Sequence, residues 1–345
     1  LYEDPHVLHA RLQYAGSESL DRAPAWLSEG VAHALANGAA RLFVLGPYPD
    51  LLAGVPVDRI GRVHKALHDA SAAERRLVSD ARINSTTIPF ATASWATAVF
   101  PGIAPASAKR RLWQALFAAM RADGPEPVAA AREHVRELDA RCGALQARKL
   151  SALRFHDGAT DLSVGLVDGH RWAGGTVVAK NGVAHLPSMP AEALYTCVRR
   201  DSANGRMAVS RPLTLGGTRI EQARIEFRDG TIVSVVAAKG QRMLERFLAL
   251  DPDASRLGEL GLAPASSPLA GIDSFHVPAL DRNAASHVAF GRPNPDCLPS
   301  QSEDAAVNSS SFHIDCMVGS PTMSVDGIHA SGRVEPIMRN GEFTI

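Results

Sequence analysis

A histidine and an aspartate stand two residues apart near the C-terminus, at His313 and Asp315. Residues 312–319 alternate in the manner of a strand, so these two side chains are predicted to share one face. An imidazole and a carboxylate so placed have Cβ atoms roughly 6–7 Å apart and can converge on one cation. A lone pair of this kind is more often the polar face of a half-exposed strand. The sequence therefore predicts a metal site only where further ligands are found.

Three other residues are candidates for those ligands. His287 stands where a polar turn enters an apolar segment, although such a histidine is more often hydrogen-bonded and structural. Glu259 is a lone acid in an apolar setting, where a buried carboxylate has to be paired or bound to a metal. Glu192 follows Pro190 at the predicted start of a helix, a place that the helix dipole favours for an acid in any case.

Charge and composition narrow the classes of partner. The 345 residues include 36 basic and 36 acidic ones, so no electrostatic footprint for nucleic acid or an anionic membrane is present. A hydrophobic fraction of 46% is ordinary for a globular protein. A small uncharged or zwitterionic partner fits this balance best.

The four cysteines are widely spaced and form no C-x-x-C pair, which predicts neither a disulfide framework nor a thiolate zinc site. Cysteine usage of this kind predicts the cytoplasm. No apolar run of about 18 residues predicts a membrane span. The chain opens at Leu1 without a signal peptide, and we expect an upstream segment to precede it.

The first 150 residues have the order of an α/β domain. Apolar periodicity predicts helices over residues 25–37 and 57–77 and strands over 41–47 and 86–92, an order that favours a parallel sheet. Residues 106–153 are almost continuously helical, with a break near Pro125, and are predicted to form core or a linker between domains.

After residue 150 the chain becomes rich in short strands. The clearest hairpin joins residues 219–228 to 231–237 through Asp229-Gly230, and a helix is predicted over 241–250. Residues 301–311 are polar and are predicted to form a mobile loop. The predicted fold class is an α/β N-terminal domain with a helical linker over 1–150, followed by an α+β, β-rich metal-binding domain over 151–345.

Several blocks in this second part resemble the thermophilic metallo-aminopeptidases, the group of aminopeptidase T, aminopeptidase S and PepS. The composite is specific because short blocks in one order over much of the chain are hard to produce by chance. They are Phe155–Leu166, Trp172–Gly175, Met189–Glu192, Ala254–Glu259, Asn283–His287, His313–Pro321 and Glu335–Glu342.

The resemblance implies a metal-dependent aminopeptidase and, position by position, these metal ligands: Glu192, Glu259, His287, His313 and Asp315. Carboxylates and imidazoles without thiolate suit two divalent ions of zinc, cobalt or manganese. Two such ions sharing a water supply a nucleophile at neutral pH. The resemblance also implies that Glu192 or Glu259 moves the proton, that peptides or small amines are the substrates, and that the protein is a homodimer.

The chain departs from the family pattern at several places. Asn294 stands where the family has a tyrosine, and the family's pair of adjacent glutamates is here Glu192-Ala193. The segment between His287 and His313 is shortened. The chain also starts partway into the family's N-terminal domain.

Two alternative functions stay open on the sequence. Some proteins similar to this family are mononuclear non-haem iron dioxygenases that cleave dihydroxypyridines, and His287, His313 and Asp315 could form their facial triad, with His185 as a base. Retention of both Glu192 and Glu259 is unnecessary for one iron and favours the peptidase. The other alternative is an inactive binding protein that has lost activity through the change at Asn294.

Overall fold

The structure is a computed structural model that describes residues 4–49, 51–52, 54–298 and 306–345. Its helices are α1 Pro5–Tyr14, α2 Ser17–Leu20, α3 Ala25–Ala36, α4 Val57–Ala70, α5 Ala72–Ser79, α6 Ala93–Val99, α7 Pro105–Ala119, α8 Pro127–Arg148, α9 Gln241–Leu248 and α10 Pro278–Asp281. Its strands are β1 Arg41–Leu45, β2 Ser85–Pro89, β3 Ala152–His156, β4 Asp161–Gly165, β5 Val177–Val178, β6 Ala184–His185, β7 Leu194–Cys197, β8 Asn204–Ala208, β9 Leu213–Leu215, β10 Thr218–Ile220, β11 Arg224–Arg228, β12 Thr231–Val236, β13 Leu257–Leu262, β14 His287–Gly291, β15 His313–Met317, β16 Ser324–Ile328, β17 Val334–Arg339 and β18 Glu342–Phe343.

The chain divides into two compact units. The first comprises Leu1–Gln114 with Thr176–Met189, and the second comprises Ala115–Gly175 with Pro190–Ile345. This division places α8 in the second unit, where Leu138 and Leu145 belong to its hydrophobic core. The domain boundary predicted after residue 150 stays a prediction.

The first unit confirms the predicted α/β order. Strands β1 and β2 pair in parallel, as a strand–helix–strand sequence requires. The helix predicted over 57–77 is wrong as a single element, because α4 ends at Ala70 and the next residue, Ser71, donates its hydroxyl to the Leu67 carbonyl at 2.9 Å. The strand predicted over 86–92 stops at Pro89, and Thr92 instead caps α6 by accepting the Trp95 N–H at 3.1 Å.

The second unit is built on two antiparallel sheets. The eight-stranded sheet runs β12-β11-β8-β4-β3-β16-β17-β18, and the four-stranded sheet runs β15-β14-β13-β7. The predicted hairpin is confirmed as β11 and β12, but residues 218–220 form the separate strand β10 because the backbone turns left-handed at Gln222. Large antiparallel sheets agree with the β-rich texture expected after residue 150.

One hydrophobic core lies between these two sheets. Phe227 of the larger sheet stacks on Phe290 of the smaller one, with ring centroids 5.9 Å apart. On the smaller sheet Leu260, Val288 and Cys316 are buried in the same core. Because side chains alternate along a strand, the neighbouring residues of β13, β14 and β15 point to the opposite face, which carries polar groups. Because the apolar face of the small sheet packs in the core, the polar side chains on its other face all point away from the core. In the described residues no helix combines the length and apolar character needed to cross a membrane.

Candidate metal centre

Four of the five predicted ligands share the polar face of the four-stranded sheet. Glu259 lies on β13, His287 on β14, and His313 and Asp315 on β15. The antiparallel register sets Asp315 opposite Ala289 and His313 opposite Gly291. These small partners leave the space above the sheet to the four polar side chains, which converge over β14.

The donor atoms of this group lie close together. His287 Nε2 is 3.9 Å from Glu259 Oε1 and 3.7 Å from Asp315 Oδ1. His313 Nε2 is 2.9 Å from Asp315 Oδ1 and 4.0 Å from Glu259 Oε1. Glu259 and His287 are fully buried, whereas the His313 side chain retains 22% of its exposure. Access to the group is therefore from the side of His313.

His287 presents a free nitrogen to the two carboxylates. Its Nδ1 lies 3.1 Å from the Arg282 carbonyl, which accepts the Nδ1–H and leaves a lone pair on Nε2. Nε2 is buried without a hydrogen-bond partner. An unsatisfied buried nitrogen costs stability, and a cation between Nε2 and the carboxylates would satisfy it. Glu259, His287 and Asp315 thus have the chemistry and spacing of a metal site.

His313 and Asp315 form a hydrogen-bonded pair, with His313 Nε2 2.9 Å from Asp315 Oδ1. Burial alone would lower the pKa of His313, but the Asp315 carboxylate outweighs it and raises that pKa to about 9. Burial likewise opposes ionisation of Asp315, whereas the hydrogen bond from His313 lowers the pKa of Asp315 to about 2. The His313 Nδ1–H donates to the Arg292 carbonyl at 2.7 Å and fixes the ring. The pair is held as imidazolium and carboxylate.

Glu259 is oriented by Asn294. The Asn294 amide nitrogen donates to Glu259 Oε1 at 2.9 Å and to Oε2 at 2.8 Å, and the Asn294 backbone N–H donates to Oε2 at 2.7 Å. A carboxylate bound at both oxygens has little freedom to rotate. Asn294 therefore sets the plane of Glu259 relative to the two histidines.

Gly261 makes room for the His287 ring. A Cβ atom at Gly261 would lie 2.1 Å from His287 Cε1 and 2.5 Å from Nε2. Gly261 is the cross-strand partner of His287, so any side chain there would displace the imidazole from the centre. Glycine at this position of β13 is a requirement of the site.

Glu192, the fifth predicted ligand, has other partners. It forms an ion pair with Arg121, and His134 Nε2 lies 3.6 Å from its Oε1. The helix predicted to begin here is wrong: the N–H groups of Glu192 and Ala193 both donate to the Asn283 side-chain oxygen, and the chain continues into β7. Glu192 is buried at the wall of a cavity of about 180 Å³.

The comparisons with known proteins decide the family. Residues 1–343 match the family described as thermophilic metalloprotease (M29). The chain belongs to this family. Aminopeptidase T of Thermus thermophilus is 42% identical over 100% of this chain and 86% of that protein, and aminopeptidase AmpS of Bacillus subtilis is 33% identical over 99% and 85%. The structure of wild-type AmpT from Thermus thermophilus superposes with a TM-score of 0.93 at 40% identity, covering 100% of this chain and 86% of that one.

Membership of the M29 family confirms the resemblance and the mixed α/β fold. It leaves the ligand set a prediction, because four of the predicted ligands meet on one sheet face while Glu192 pairs with Arg121. His185, the base of the dioxygenase alternative, lies in the first unit and the four sheet residues lie in the second. No sequence pattern indicated Arg121 or Arg282, since neither stands in a recognisable catalytic motif.

Proposed function

We propose that this chain is a metal-dependent aminopeptidase that releases N-terminal residues from peptides through a water shared by two divalent metal ions. The observation that carries the proposal is the buried His287 Nε2, which lies without a partner between two carboxylates in a chain of a metalloprotease family. Relatives up to 42% identical are named aminopeptidases.

The residues that would hold the metal are Glu192, Glu259, His287, His313 and Asp315. Oxygen and imidazole donors without thiolate suit zinc, cobalt or manganese. Divalent cations bound by this set supply the Lewis acidity that makes water nucleophilic at neutral pH and polarises the scissile carbonyl.

Both glutamates would bind metal, and one of them would also transfer the proton. Glu259 is fully buried with both oxygens bound by Asn294, which suits a fixed ligand. Glu192 lies at the wall of a cavity, where a substrate can approach it. We therefore assign to Glu192 the movement of a proton from water to the leaving amine. Arg121 orients the Glu192 carboxylate for this role.

Assembly and location complete the proposal. The family resemblance supports a homodimer, and the free state of Cys142, Cys197, Cys297 and Cys316 supports the reducing cytoplasm.

The test combines metal analysis with a substrate panel. Metal-loaded protein should contain two zinc, cobalt or manganese ions per chain and hydrolyse aminoacyl p-nitroanilides, and a chelator should abolish hydrolysis. His313→Ala and Glu192→Ala should lose both metal and activity, whereas the exposed control His64→Ala should lose neither. One iron per chain with oxygen uptake on a dihydroxypyridine would overturn the proposal, since His287, His313 and Asp315 also have the composition of an iron triad.

A further inference from the structure

Arg282 is a basic residue beside the candidate metal centre whose guanidinium has no acceptor among the described residues. Its Cζ atom lies 5.2 Å from the centroid of the Tyr195 ring, in a cation–π arrangement. Across residues 4–298 and 306–345, where described, the guanidinium forms no hydrogen bond or ion pair. The side chain is partly buried, but none of its guanidinium nitrogens is fully buried, so its N–H donors remain accessible to a ligand.

The backbone places this guanidinium beside the candidate ligands. The Arg282 carbonyl accepts the Nδ1–H of His287, which ties the residue to β14. Tyr195 on β7 is the cross-strand partner of Gly261, two residues from Glu259, so the Tyr195 ring lies on the same sheet face as the metal centre. The carboxylates of Asp315, Glu259 and Asp296 all act electrostatically on Arg282 without pairing with it.

The Tyr195 ring lies against one side of the Arg282 guanidinium. The Tyr195 ring is buried, and its hydroxyl donates to Asp296 Oδ2 at 3.3 Å, so the ring cannot turn freely. A planar guanidinium stacked on a ring presents its edge, and that edge matches a carboxylate through two parallel hydrogen bonds.

We propose that Arg282, stacked on Tyr195, binds a carboxylate of the peptide substrate next to the metal centre. The inference rests on the proposed aminopeptidase function and names its substrate class. A peptide carries such a carboxylate at two places: the side chain of an acidic first residue, or the C-terminal carboxylate of a dipeptide. Both present the same chemistry to Arg282, and the substrates of the test separate them.

The test compares matched substrates on metal-loaded protein. Glu-p-nitroanilide is paired with Leu-p-nitroanilide, and Leu-Gly is paired with Leu-Gly-amide. In the wild type, one of the two pairs should show a higher kcat/KM for the substrate that carries the carboxylate. That pair identifies which carboxylate Arg282 binds. Arg282→Gln should reduce the preference about 10- to 100-fold, mainly through KM, because a charge-assisted bidentate contact is lost. Arg282→Lys should restore part of it, and the exposed control Arg242→Gln should leave it intact.

Two results would overturn the inference and leave the aminopeptidase function standing. One is equal kcat/KM within both pairs in the wild type, which decides the question even if Arg282→Gln does not fold. The other is an Arg282→Gln variant that lowers both members of a pair by the same factor. A metal-loaded wild type that releases no N-terminal residue from any of the four substrates would refute the proposed function, and the inference with it.

Discussion

Glu259 and His287 are held in place by neighbours that are not themselves candidate ligands. Asn294 binds both oxygens of Glu259, and the Arg282 carbonyl fixes the tautomer of His287. Such outer contacts set the direction of each donor atom before a cation arrives, which lowers the cost of binding it. The asparagine that replaces the family tyrosine therefore has a defined structural role at this centre.

Replacing Asn294 by alanine removes the two side-chain hydrogen bonds to Glu259 and leaves the backbone one. We expect the affinity for zinc or manganese to fall about 10- to 100-fold, as is typical when an outer contact of a ligand is lost. Competition with a chromophoric chelator measures the change. Asn181→Ala, which removes an exposed amide contact to Asn84, is the matched control. Equal affinity in both variants would show that Glu259 orients itself without Asn294.

At the scale of single residues, the sequence predicted the candidate metal ligands but not the residues that contact them. The spacing of His313 and Asp315 was sufficient to place both on one strand face, and their 2.9 Å contact confirms it. Arg121 and Glu192 are 71 residues apart in the chain, and Arg282 and Tyr195 are also distant. Local patterns carry no information about such contacts, because tertiary packing alone brings these residues together.

Strands of the small sheet act as a rigid support for the donor set. Their apolar faces are buried in the core and their polar faces carry the ligands, so a change of register by one residue would invert the site. Gly261 is the position where this support is most restrictive.

We expect Gly261→Ala to abolish tight metal binding while the sheet remains folded. The added methyl group would occupy the place of the His287 ring, which has to rotate away from Glu259 and Asp315. Metal content after dialysis and far-ultraviolet circular dichroism would measure the two effects. Gly143→Ala on α8 is the control, because its Cβ would meet no atom within 4 Å. Full metal content in Gly261→Ala would contradict the required role of this glycine.

The segment that leads into β15 differs from its prediction. Residues 301–311 were expected to form a mobile loop; 301–305 lie outside the described residues, but 308–311 are tied down. Asp251 accepts hydrogen bonds from the Ser310 and Ser311 hydroxyls, and Asp253 accepts them from Ser309. Polar composition alone does not reveal that distant carboxylates satisfy these serines, which is why the prediction was wrong for this part.

Acid should release this segment. The hydrogen bond from Ser310 is the largest cause of the lowered pKa of Asp251, so its stabilising contribution is present above the unfolded value of about 3.9. That contribution is lost as the pH falls through the lowered folded value. We expect the amides of Ser309–Ser311 to keep their hydrogen-exchange protection above about pH 4 and to lose it progressively below that pH, after correction for intrinsic rates. Constant protection, or an equal loss throughout β13, would contradict the role of Asp251.

Across the whole molecule, all five candidate ligands belong to the second unit. All five predicted ligands lie in the C-terminal part of the sequence, because the blocks that resemble the family lie there. It could not assign α8, since a long helix with an apolar stripe has the same pattern whether it links domains or packs in a core. Leu138 and Leu145 show that this helix is core.

Metal should therefore stabilise one unit selectively. A cation at about 100 times its Kd adds about 2.7 kcal/mol to the unit that binds it. For a unit of this size we expect its melting temperature to rise by about 5–10 °C, while the transition of the first unit stays unchanged. Differential scanning calorimetry with and without chelator measures both transitions. An equal shift of the two would show that the units melt together or that the ligands lie elsewhere.

The order of β13, β14 and β15 also bears on inheritance. These strands follow one another in the chain and pair in that same order, so four candidate ligands lie in one continuous stretch of the sequence. Recombination that exchanges this stretch between relatives would transfer the donors together with Asn294 and Arg282. A crossover outside the stretch would also leave these residues together. Changes in metal or substrate preference can thus spread through a lineage in a single genetic exchange.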